Sequence, residues 1–173
     1  MWWSRRAVLW HAFPAAAALL AGCGFEPMYG GRAGRVTAAE LAAIRIDRIP
    51  EPIGHFLRND LIDRLSPTGE PERPRYRLLV QIAQSKVSLA IQSDATITRF
   101  NLRLDVRFTL FDSDTGALLY QGRTRSVGSY NAVRSDFATL AAEQDTARRA
   151  AREASEEVRT LLAVYFARRQ SAT

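Results

Sequence analysis

Phe100, Leu102, Leu104, Val106, Phe108 and Leu110 alternate with Arg99, Asn101, Arg103, Asp105, Arg107 and Thr109. One face of that segment is wholly apolar and the other almost wholly polar. A half-buried antiparallel strand requires that pattern. Before it, Tyr76, Leu78, Val80 and Ile82 alternate with Arg77, Leu79, Gln81 and Ala83, which predicts a second strand. After it, Asp112-Ser113-Asp114-Thr115-Gly116 reads as a hairpin turn with a glycine free to take positive φ. The return strand runs from Ala117 to about Tyr130 and is weakened by Gly122 and Gly128.

Helical spacing frames these strands. Ile53, Phe56, Leu57, Leu61 and Leu65 predict an amphipathic helix over Ile53 to Ser66. Ser66-Pro67-Thr68-Gly69 stops it. Ser135 or Asp136 is placed to cap a final helix. Its stripe is Phe137, Leu140, Gln144, Ala147, Ala151, Ala154, Val158, Leu161 and Tyr165. Asp145/Arg149, Arg149/Glu153 and Arg152/Glu156 are opposite charges four apart on this helix. Alanines in the middle of the stripe favour close packing on a sheet over a coiled coil. Leu41 to Ile49, with Ile44 and Ile46 alternating against Arg45 and Asp47, reads as a short first strand. The expected fold is α+β in the order β-α-β-β-β-α. Two helices cover one face of a four-stranded, largely antiparallel sheet, and the opposite face is left polar.

The chain's 173 residues, 47% of them hydrophobic, suit one domain with a true core and argue against a disordered chain. The N-terminus differs from the rest. Arg5 and Arg6 precede an apolar run from Val8 to Leu20, broken by His11 and Pro14. That is a signal-peptide layout, too short for a comfortable membrane span. It ends Leu20-Ala21-Gly22-Cys23, which resembles the bacterial lipobox. That resemblance implies a diacylglyceryl group on the Cys23 thiol, cleavage before Cys23, and an acyl group on the freed amine. Several acyl chains, at ~0.8 kcal/mol per buried methylene, suffice for stable anchoring. Ser4-Arg5-Arg6-Ala7-Val8-Leu9 also resembles a twin-arginine signal, and ordinary secretion remains the alternative route. Gly24 follows Cys23 where an inner-membrane retention signal would have Asp, which points to the outer membrane. The expected organisation is a signal peptide over 1–22, a lipidated flexible tether over 23–38, a folded domain over 39–169 and a tail over 170–173. Gly30-Gly31-Arg32-Ala33-Gly34 lacks the Gly-Lys-Ser/Thr ending of a phosphate loop and belongs to the tether.

Chemistry is scarce. Cys23 is the sole cysteine and is already assigned to lipid. After residue 22 the one histidine is His55, at the start of a helix, with no cysteine or second histidine to join it. No nucleophile-elbow, zincin or paired-acid motif is present. The expectation is a non-enzyme, with no metal and no cofactor beyond the covalent lipid. The candidate binding surface is the polar sheet face. Arg99, Arg103 and Arg107 recur at every fourth position of one strand, about 13 Å apart at ~3.3 Å per residue. Arg123, Arg125 and Lys86 lie on the flanking strands. Such a face suits phosphates, carboxylates or an acidic protein wall. A solvated face with Asp105 as counter-charge is the plain alternative. No aromatic side chains interleave these cations, so nucleic acid is not expected.

Cys23-Gly24-Phe25-Glu26-Pro27-Met28-Tyr29-Gly30 resembles the mature start of the LptE family of lipopolysaccharide-assembly lipoproteins in its alphaproteobacterial form. Leu57-Arg58-Asn59-Asp60-Leu61 is similar to the family's first helix. So are Tyr76-Arg77-Leu78 and Thr98-Arg99 opening strands, and Tyr130 before an Ala-rich helix. The resemblance implies two helices on a four-stranded sheet and an outer-membrane site facing the periplasm. It also implies a plug role inside the LptD β-barrel and contact with lipopolysaccharide. Motif position carries lipopolysaccharide contact only to Arg99; Arg103, Arg107 and Lys86 join it by face geometry. A rival reading is an auxiliary lipoprotein of an intermembrane, ABC- or MCE-linked phospholipid transport system.

Overall fold

The structure, a computed structural model, describes residues 31–91 and 98–172. The signal peptide, Cys23, the first part of the expected tether and the strand-joining loop at Gln92 to Thr96 lie outside the described residues. The elements run α1 (Gly31–Ala42), β1 (Ile44–Ile46), α2 (Pro52–Leu65), β2 (Tyr76–Ile91), β3 (Thr98–Asp112), β4 (Leu118–Ala132) and α3 (Asp136–Ser171). The sheet order is β1-β2-β3-β4. Strand β1 is parallel to β2 over Tyr76 to Leu78, and the two later pairings are antiparallel. This is the expected α+β fold with one helix added.

That helix corrects the expected tether over 23–38: from Gly31 onward the chain is helical. The glycines hid it, because they remove local helical preference. Tertiary contact supplies what the sequence lacks. Thr37 and Leu41 are buried, and Gln170 Nε2 at the far end of α3 donates to Thr37 Oγ1 at 3.3 Å. Leu41 is therefore in the last turn of α1, and the first strand is only Ile44–Ile46. The first two residues of the expected tail, Gln170 and Ser171, are likewise helical, since α3 continues to Ser171.

Alternation sets the core. Leu102, Leu104, Val106, Phe108 and Leu110 of β3 are all buried beneath the helices. Helix α3 meets them with small residues, Ala147, Ala150, Ala151 and Ala154, then with Val158, Leu162 and Phe166. Its start is capped by Ser135 Oγ, which accepts from Ala138 N at 3.3 Å. Arg64 of α2 pairs with Glu156 of α3, tying the two helices side by side. Arg58 Nε of α2 donates to the Ile46 carbonyl at 3.3 Å, tying α2 to β1.

The two glycines of β4 do more than weaken a strand. A Cβ at Gly122 would lie 2.2 Å from Phe108 Cζ, and one at Gly128 would lie 2.4 Å from Thr146 Cγ2. Both positions are spaces that a core ring or a helix occupies. The expected helix stripe needs one correction at its start. Phe137 and Leu140 are 82% and 53% exposed, and burial begins only at Thr146. Among the described residues nothing covers the apolar side chains of its first turn.

Candidate functional site

The register places the candidate arginines. Opposed residues on neighbouring strands point to the same side of a sheet. Arg107 opposes Gln81 on one side and Arg123 on the other. Asp105 opposes Ala83 and Arg125, and Arg103 opposes Ser85 and Val127. Arg99 opposes Asn131. These side chains alternate with the buried set of β3, so they stand on the face without helices, and Arg99, Arg103, Arg107, Arg123 and Arg125 are exposed. A shallow depression at mid-face is lined by Gln81, Asp105, Arg107, Arg123 and Arg125, among others.

The charges are unevenly compensated. Arg125 Nε is 2.6 Å from Asp105 Oδ1, across the strand pair. Asp105 thus serves β4 rather than its neighbours on β3. Arg107 and Arg123 stand directly opposite each other, and among the described residues neither they nor Arg103 has a carboxylate within ion-pair distance. Like charges directly opposed across strands disfavour the pairing. A bound anion would relieve them, and paired guanidinium forks suit phosphate or carboxylate oxygens.

Lys86 does not belong to this face. It opposes Leu102, which is buried under the helices, so its side chain rises on the helix side. There Lys86 Nζ is 2.7 Å from Glu143 Oε2 and 5.3 Å from the Phe100 ring centroid. Tyr130 Oη donates to the same Glu143 oxygen at 2.6 Å, and its ring stacks on Phe100 at 5.5 Å. Lys86 and then Tyr130 hold the Glu143 carboxyl below the usual carboxylate range. The carboxylate in turn raises the Lys86 ammonium above its usual value. The grouping of Lys86 with the arginines is corrected: it fastens the far half of β2 to α3. Counting which residues alternate along β2 would have placed it, since Lys86 continues the parity of Val80 and Ile82.

His55 is exposed on α2, and the described residues contain no cluster of His, Cys, Asp or Glu suited to a metal. What the arrangement offers chemically is an array of exposed cations on one face of a sheet.

The LptE lipopolysaccharide-assembly family model matches residues 41–162. An uncharacterized protein of Rickettsia prowazekii is 26% identical over 151 residues, covering 87% of this chain and 93% of its own. The crystal structure of a candidate lipoprotein from Caulobacter crescentus superposes with a TM-score of 0.64 at 29% identity, covering 79% of this chain and 98% of that one. Rare lipoprotein B of Shewanella oneidensis shares the fold, with a TM-score of 0.53 at 12% identity over 70% of this chain and 93% of its own.

Proposed function

This chain belongs to the LptE lipopolysaccharide-assembly family, and on that premise we propose that it is an outer-membrane lipoprotein that partners an LptD-type β-barrel. In this reading Cys23 carries the diacylglyceryl and N-acyl lipid that holds the domain at the periplasmic side of the outer membrane. The domain plugs the barrel and contacts lipopolysaccharide during its assembly. It catalyses no reaction. The phospholipid-transport alternative has no comparable support, because the family match spans residues 41–162.

One observation carries the finer reading: the helix-free sheet face on which Arg103, Arg107 and Arg123 have no carboxylate partner among the described residues. Barrel lumens of this kind are polar, so a plug needs a polar, hydrogen-bonding face. Lipopolysaccharide is an anionic amphiphile, and arginine pairs phosphate or carboxylate in two-point geometry. Arg99, Arg103 and Arg107 changed together to Glu would turn attraction into repulsion at contact range. The expected product is folded by circular dichroism but fails to co-purify with its barrel or loses lipopolysaccharide binding. Unchanged barrel recovery together with unchanged lipopolysaccharide binding would assign the face to solvent.

A further inference from the structure

Strand β4 ends the sheet. It runs for 15 residues, Leu118–Ala132, and contains no proline or lysine. Among the described residues, no side chain or backbone group outside β3 hydrogen-bonds to its backbone. An uncovered edge of this length presents a row of unpaired N–H and C=O groups, and a further strand can add to it. The far part of β2 is a second open edge, because β1 covers it only to Leu78. The two edges differ in charge. On the helix-free face β2 offers Leu79, Gln81, Ala83, Ser85 and Val87, all neutral. Strand β4 offers Gln121, Arg123, Arg125, Val127 and Ser129.

The pattern on β4 selects among occupants. A second copy of this chain pairing antiparallel about Thr124 would set Arg123 of one copy against Arg125 of the other. That repels, as edge charges commonly do to prevent self-association. Arg125 is already satisfied inward by Asp105. Among the described residues Arg123 has Arg107 opposite it and no carboxylate in ion-pair reach, which leaves it open to one from outside the sheet.

We infer that β4 is a strand-addition site for an extended segment of a partner protein, with carboxylates at alternate positions and one of them opposite Arg123. This goes beyond the lipopolysaccharide reading: the recognition element is backbone hydrogen bonding along the outer edge of β4, with charge setting the register. Alternate spacing follows from the pleat, since only every second side chain of the added strand reaches the arginine face.

The test uses the full mature chain and two synthetic peptides of roughly eleven residues, long enough to span about 36 Å of edge at ~3.3 Å per residue. One alternates Glu with Thr, the other Lys with Thr. Hydrogen exchange is followed residue by residue along β4, and affinity by fluorescence anisotropy. In the free chain the outward amides of β4 exchange rapidly. The Glu peptide protects them and the Lys peptide does not. Arg123→Glu, which breaks no ion pair among the described residues, weakens the Glu peptide about tenfold. Arg123→Gln gives an intermediate loss in a chain of unchanged circular dichroism. The proposal is overturned if the Glu peptide binds without protecting β4, or if both peptides bind equally. It is also overturned if the outward amides are already protected in the free chain, or if β4 becomes protected by self-association as concentration rises.

Discussion

Neighbouring residues on β3 have opposite fates. Leu104 is fully buried and Arg103 is exposed on the other face. Leu104→Asp would place an unpaired charge in the core, a change expected to cost about 4 kcal/mol or more. Arg103→Asp should move stability by no more than about 0.5 kcal/mol, because its side chain is exposed and makes no ion pair among the described residues. Urea unfolding of the two variants checks this; equal losses would mean the strand's facing is wrong. Glu143 gives a pH signature. Its folded carboxyl titrates below the ordinary range because Lys86 and Tyr130 donate to it. The stability it contributes is therefore present above the unfolded carboxyl's pKa and is lost as pH falls through the lowered folded value. Thermal melts from neutral pH into acid should fall more steeply for the wild type than for Glu143→Gln, which has no carboxyl there to protonate. Parallel curves would show that Lys86 and Tyr130 do not stabilise the ionised form.

At the scale of elements, close approach sets the costs. The Phe108 ring fills the place of a side chain at Gly122, and Phe108 is 2% exposed, so the ring has little room to retreat. Gly122→Ala should destabilise by about 1–3 kcal/mol through overpacking, although alanine is the less costly residue for backbone entropy. Calorimetry of this variant checks the packing, and a raised melting temperature would refute it. The alanine run of α3 has the same logic: Ala151 and Ala154 are fully buried against the sheet, whereas Phe137 and Leu140 precede it and stay exposed. Helical spacing alone put all four on one stripe. It could not show where along the helix the sheet begins, because that depends on the exit point of β4.

For the molecule as a whole, attachment and fold are separate matters. The proposed anchor is one residue, Cys23, and the described fold starts at Gly31. Cys23→Ser should abolish incorporation of an alkyne fatty acid and leave the circular dichroism spectrum of the domain unchanged. Undiminished label on the variant would remove the lipoprotein assignment. The order of the later elements was legible along the chain because local alternation dictates it. Leu102, Leu104, Val106, Phe108 and Leu110 cannot be buried on one face without presenting Arg103, Asp105 and Arg107 on the other. The Ser135 cap, the Asp112–Gly116 turn and the helix over Ile53 to Leu65 were legible for the same reason: each is settled by residues a few positions apart. Three things waited for the tertiary structure. Helix α1 forms where glycines argue against it, since its Thr37 and Leu41 are buried and Thr37 bonds to Gln170 at the other end of the chain. Lys86 meets Glu143, because its facing follows from parity along β2 but what stands above it is fixed by where α3 lies. Among the described residues Arg125 has a carboxylate partner while Arg107 and Arg123 do not, because cross-strand neighbours are set by a turn and a bulge near Leu110 rather than by sequence distance. Local pattern decides which way a side chain points; only strand pairing and helix placement decide what it meets there.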